Sequence, residues 1–389
     1  MQETEQRRYD LDWLRVITIF LFFLYGCARF FTSDWWFFKN DPANDTLLRA
    51  LCRYSDFWQM PMLFLIAGCT AWYSLGIRPW RQFIKERLLR LGVPVVFGTL
   101  ILVPPIIYLA RVMDGSFAGS LFEFYPQFFV GWYSQLVEST GNFSWGSMWL
   151  LLYLLVATLV ILPLLVYLRG DRGKKAVDAL ARFTAKPGAI LLYALPLSLV
   201  LWALIPIFPH DFSLYKDWAL FLFYLLFFFY GFLFCTDVRF WQAIDKQKGW
   251  MFGLSIALSI WWFVNAILKI SGEPYSLTQL ALTTLYCLTS LAYVLTLLGY
   301  AYKYLQSGSR FLSYSAEAWL PFYVLHLTVI VVLAFIVVQW DMEVWGKFLL
   351  LALLSFAVIM LIYEFVIKRV NVIRLLFGMP MKPKKKKSA

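Results

Sequence analysis

Residues 319–338 read Trp-Leu-Pro-Phe-Tyr-Val-Leu-His-Leu-Thr-Val-Ile-Val-Val-Leu-Ala-Phe-Ile-Val-Val, a run with no formal charge and one histidine, His326. A bilayer core takes ~20 mostly apolar residues in a helix. A soluble helix would carry one apolar stripe, whereas this run is apolar nearly all round. It predicts a membrane span. Nine further runs of the same kind occur at Trp13–Phe31, Phe57–Ile77, Leu91–Val112, Met148–Leu168, Ala189–Phe208, Trp218–Phe234, Met251–Ile270, Leu277–Leu298 and Phe348–Val366. The expectation is an all-α, polytopic bundle of about ten transmembrane helices.

Composition agrees with that reading. Of 389 residues, 61% are apolar and 15% charged, against about 45–50% and 25% in soluble chains. Disorder needs low hydrophobicity and is excluded outside the tail. Cys27, Cys52, Cys69, Cys235 and Cys287 are scattered without CxxC spacing and read as small hydrophobes, not as a disulfide or metal set. No metal site is expected.

Loop charge sets the orientation. Arg7 and Arg8 precede the first run, and Arg78, Arg81, Lys85, Arg87 and Arg90 lie between the second and third. Every second loop after that is basic, and the tail carries Lys368, Arg369, Arg374 and Lys384–Lys387. The intervening loops carry Asp114, Glu123, Asp211, Asp217, Glu273, Asp341 and Glu343. Both termini are therefore expected in the cytoplasm, with residues 1–370 as the membrane domain and 371–389 as a basic tail facing anionic lipid. This asymmetry accounts for the +12 net charge without a nucleic-acid partner. The aromatic stretch Ser116–Ser134 suits an interfacial lid or helix on the far side.

Ionisable groups within spans are costly, so each is asked for a role. Asp10, Asp12 and Arg15 sit at the cytoplasmic mouth of the first span, and Arg29 at its outer end reads as a snorkelling residue. Glu364 and Lys269 read as interfacial. His326 serves equally well as a packing residue or as a base. Arg87 and Arg90 are three apart and on an α-helix would share a face, a fork of phosphate size that Lys85 and Arg81 extend. Ordinary topology charges explain the number of these residues but not the RxxR spacing.

Five blocks carry a resemblance: Arg8-Tyr9-Asp10-Leu11-Asp12-Trp13-Leu14-Arg15, Met60–Gly68, Arg87–Pro94, Met148–Tyr153 and Phe322-Tyr323-Val324-Leu325-His326. Their order resembles the integral-membrane acyltransferase family, which includes O-antigen and peptidoglycan O-acetylases, with the periplasmic glucan succinyltransferase branch closest. The resemblance implies a multi-pass protein of the bacterial inner membrane. It implies acyl-coenzyme A as co-substrate, no permanently bound cofactor, and a glycan or lipid hydroxyl as acceptor. It makes Arg15, at the donor mouth, and His326 the catalytic pair and gives donor binding to Arg87 and Arg90, whose positive field Lys85 extends.

The family pairs an arginine with a histidine eleven positions later, on one helix face ~16 Å apart. Here Arg15 is present, but Gly26 stands at the histidine position and Ser147 where the fourth-span block has a histidine. His326 is then the only histidine left at comparable depth. Two outcomes stay open: His326 supports an altered chemistry, or the chain is a catalytically silent relative acting as a permease or partner subunit.

Overall fold

The computed structural model describes residues 7–40, 45–133 and 141–382. Its helices run α1 (Tyr9–Ala28), α2 (Thr46–Asp56), α3 (Gln59–Ile77), α4 (Trp80–Arg87), α5 (Val93–Phe97), α6 (Pro104–Met113), α7 (Leu121–Phe124) and α8 (Trp149–Arg169). They continue as α9 (Asp171–Thr184), α10 (Ala194–Leu204), α11 (Trp218–Phe234), α12 (Val238–Leu268) and α13 (Leu277–Tyr304). The last are α14 (Arg310–Val337), α15 (Val344–Ile362) and α16 (Asn371–Leu376). There is no strand among the described residues, only an isolated bridge between Trp132 and Phe143. Helix is the regular structure among the described residues, as the apolar runs require.

Eight helical stretches among the described residues are long and apolar enough to cross a membrane. The other two expected spans, Ala189–Phe208 and Trp218–Phe234, appear as shorter apolar helices, Ala189–Leu204 and Trp218–Phe234. α12 departs in the opposite direction. It begins at Val238, well before its apolar run at Met251, because Asp237 caps its first turn by accepting from the Arg239 N–H at 2.9 Å.

The third span is broken by its prolines. A proline lacks the N–H that would bond the carbonyl four residues back, and its ring crowds that carbonyl. Pro94 acts in this way on Arg90, and Pro104 on Leu100. The chain widens into π-helical turns at these places, Leu88–Gly92 and Gly98–Leu102. Buried backbone in a membrane must find other partners. The Tyr125 hydroxyl donates to the Leu100 carbonyl at 3.0 Å, and the Thr328 hydroxyl to the Leu102 carbonyl at 2.9 Å.

The chain divides into two compact units. The first comprises Met1–Phe20, Arg53–Phe83 and Val156–Ala316. In it α3 and α11 pack backbone against backbone, because Gly68 and Gly231 leave no side chain between them. A Cβ on Gly68 would lie 1.9 Å from the Phe228 carbonyl oxygen, and one on Gly231 1.8 Å from that of Leu65. Phe64 and Tyr224 stack alongside at 4.7 Å.

The second unit comprises Leu21–Cys52, Ile84–Leu155 and Glu317–Ala389. It holds the broken third span, the start of the fourth, the outer part of α1, and α14 and α15. The basic run Lys384–Lys387 lies outside the described residues.

Candidate functional site

His326 is 2% exposed, in the second unit. Its Nδ1 is hydrogen-bonded to the backbone carbonyl of Tyr323. A carbonyl only accepts, so Nδ1 carries the proton and the neutral ring keeps its lone pair on Nε2. Phe22 meets the imidazole edge-on at 5.5 Å, and the Tyr323 ring lies 5.1 Å away. The ring is therefore held in one tautomer between two aromatic faces.

Ser147 and Gly26 both meet α14 within a turn of this histidine. The Tyr323 hydroxyl donates to the Ser147 carbonyl at 2.5 Å, so the fourth-span block is tied to the turn carrying His326. Gly26 faces Ile330, one helical turn beyond His326, and a Cβ on it would lie 3.3 Å from Ile330 Cδ1. With Phe22 against His326 and Gly26 against Ile330, the two helices run in the same direction and in register.

The arginine fork has a different form from the one expected. Arg87 ends α4, and Arg90 lies within the π-helical turn Leu88–Gly92. A π turn advances fewer degrees per residue than an α turn, so three residues no longer return to one face. Arg90 and Lys85 are exposed and Arg87 half-buried, and the Arg90 guanidinium lies 5.8 Å from the centre of the Trp319 ring. The cations gather on one short segment, but the fork depends on a turn that Pro94 imposes.

Arg15 belongs to the first unit. Its guanidinium bonds Asp12 Oδ1 at 3.1 Å and Thr70 Oγ1 at 2.9 Å. Arg7 takes the other Asp12 oxygen at 2.9 Å. Arg8 grips the fully buried Asp10 through two bonds of 2.9 and 2.6 Å, donates to the Tyr73 hydroxyl, and stacks over Trp241 at 4.0 Å. Thr70, Tyr73 and Trp241 were not singled out by sequence reasoning. The only signal for the first two is their position directly after the block ending at Gly68.

Arg29 is held by partners of its own at the end of the first span. Its side chain is 12% exposed, 3.6 Å from Asp34, with Tyr25 and Trp36 on its faces at 5.5 and 5.3 Å. Glu364 pairs with Lys368 at 2.9 Å, and Lys269 adopts the left-handed conformation that ends α12. The aromatic loop forms one four-residue helix, α7, with no continuous interfacial helix, because Pro126 ends it two residues on. Backbone and hydroxyl hydrogen bonds from Ser120 hold the Glu123 carboxyl below its usual range and cap that helix. Phe122 is 89% exposed, whereas Phe124 and Phe128 are buried. Ser134 lies outside the described residues.

Among the described residues no three His, Cys, Asp or Glu side chains gather as a metal site would require. No curated protein and no solved structure matches the chain. The family model described as "Acyltransferase domain" matches residues 8–364, nearly the whole of it. That span takes in all five blocks and both arms of the His326 environment, and the chain belongs to this family of integral-membrane acyltransferases.

Proposed function

We propose that the chain transfers an acyl group, of acetyl or succinyl class, from cytoplasmic acyl-coenzyme A to a hydroxyl of an exported glycan or lipid. It would do so in a bacterial inner membrane with both termini on the cytoplasmic side. The observation that carries this reading is His326, buried and held with its lone pair on Nε2. A neutral imidazole suits general-base work near neutral pH.

In the transfer, Nε2 removes the acceptor hydroxyl proton as its oxygen attacks the thioester carbonyl. The carbon–sulfur bond breaks, and the coenzyme A thiolate leaves and recovers the proton. Arg87, Arg90 and Lys85 hold the donor's phosphates. Arg15 is the further donor-binding cation on the family resemblance, and Asp12 and Thr70 fix its guanidinium. Cytoplasmic anionic lipid is the partner of the Lys384–Lys387 run, whereas Arg374 of the same tail is buried against Glu317.

Purified protein given radiolabelled acetyl- or succinyl-coenzyme A tests the reading. Thioester turnover that disappears in His326→Ala is expected. Absence of coenzyme A binding, with Arg87→Ala indistinguishable from wild type, would overturn it.

One observation favours a second reading, a catalytically silent relative acting as a permease or partner subunit. Ile330 closes on Gly26, where the family carries its histidine. Saturable coenzyme A binding without turnover would select that reading.

A further inference from the structure

The carbonyl of Arg90 loses its α-helical partner because residue 94 is proline. The chain's own C-terminal segment lies against it. Gly378 adopts φ +72°, and a Cβ there would lie 2.4 Å from the Arg90 oxygen, 2.6 Å from Leu320 Cδ2 and 3.0 Å from Pro94 Cγ. Only glycine combines this left-handed conformation with so close an approach. Phe377, next to it, packs on Phe97 at 5.3 Å.

A single buried arginine fastens the segment. Arg374 is 4% exposed. Its Nε donates to the Pro380 carbonyl at 2.9 Å, and its Nη atoms reach Glu317 and the Lys368 carbonyl at 3.4 Å. The Met379 N–H returns to the Arg374 carbonyl at 2.8 Å. One guanidinium thus closes the turn carrying Gly378 and ties it to α14, where Trp319 faces Arg90.

We propose that residues Arg374–Met379 form a clasp that fixes the π-helical turn Leu88–Gly92, with Arg374 and Gly378 as positioning residues for the phosphate-binding arginines. The inference rests on the donor-binding role given to Arg87 and Arg90 for its consequence, but not for its geometry. The clasp acts on the backbone of the motif and touches no ligand. Its loss weakens donor binding and leaves the transfer step alone.

The test uses full-length protein in lipid nanodiscs with two readouts, amide hydrogen exchange across residues 84–98 and equilibrium binding of coenzyme A. Gly378→Ala and Arg374→Ala are expected to speed exchange in the Leu88–Gly92 turn by about tenfold or more, while α15 keeps its protection. Arg374→Lys should give a smaller rise, since an ammonium replaces only part of the fork. Coenzyme A affinity should fall about tenfold in the two stronger variants. A chain ending at Lys382 should match wild type in both readouts.

Unchanged exchange in Gly378→Ala, or a rise spread equally over α14 and α15, would overturn the clasp. If wild type binds no coenzyme A, the donor reading fails, and the exchange measurement still decides the clasp.

Discussion

The ring of Phe22 meets the imidazole of His326 edge-on at 5.5 Å, and one turn along both helices Gly26 meets Ile330. This register means that a histidine placed at position 26 and His326 would stand on neighbouring turns of a single helix pair.

A prediction follows for Gly26→His. Its Cβ would meet Ile330 Cδ1 at 3.3 Å, tight enough that the isoleucine must give way. Overpacking of this kind costs about 1–3 kcal/mol. The single variant should therefore unfold at lower temperature than wild type. Gly26→His with Ile330→Ala should recover part of that loss and raise thioester turnover above either single variant. Equal turnover in all three would show that position 26 has no part in the chemistry.

Tyr323→Phe separates support from proton transfer. It keeps the ring beside His326 and removes the hydroxyl that bonds the Ser147 carbonyl. A buried acceptor left without its donor costs about 1–3 kcal/mol, so thermal stability should fall. Turnover should fall less than in His326→Gln, for which loss of a general base predicts about 10²–10⁴-fold. Equal losses in the two variants would mean that His326 is itself only a packing residue.

The helical class was legible because lipid imposes one demand on every span: apolar side chains on all faces. The sixth run kept its expected bounds, Trp218–Phe234, whereas the end of the fifth at Leu204 was not legible, since run length fixes hydropathy and not where the helix stops. Pro94 and Pro104 were visible, yet their consequence was missed. A proline reports that a carbonyl loses its partner, while the replacement, as Tyr125 is for Leu100, comes from elsewhere in the chain. The shared α-helical face of Arg87 and Arg90 gave way to a π turn for the same reason, because the spacing argument assumed α-helical phase through a proline-disturbed turn. His326 was legible through its rarity. Its neighbours Phe22 and Ser147 depend on register between helices, which no single run encodes.

Gly68→Ala tests the tightest packing in the first unit. A Cβ would be 1.9 Å from the Phe228 carbonyl oxygen, and backbone on both sides cannot rotate away as a side chain could. α3 and α11 must separate, so the expected loss is at the upper end of overpacking costs, about 3 kcal/mol or more. Gly231→Ala should behave alike, and the double variant should lose less than the sum, because one separation relieves both clashes. A thermal midpoint in Gly68→Ala matching that of wild type would contradict the close approach.

Lys39, in the loop between α1 and α2, gives a test by pH. Its ammonium donates to the Thr32 carbonyl at 2.7 Å. Burial, and then the nearby Arg29 charge, disfavour the charged form and lower its pKa to about 8, against 10.5 for an ordinary lysine. An unfolded chain therefore holds this proton over a pH range in which the folded chain has released it. The sign follows from linkage: stability rises with pH from about 8 towards 10.5, and below 8 the full penalty of the buried charge is present. Competitive labelling with an amine-specific reagent should give Lys39 a reactivity midpoint near pH 8, and Lys39→Met should flatten the rise in thermal stability over that window. A midpoint at the ordinary lysine value would show that the loop does not enclose the amine.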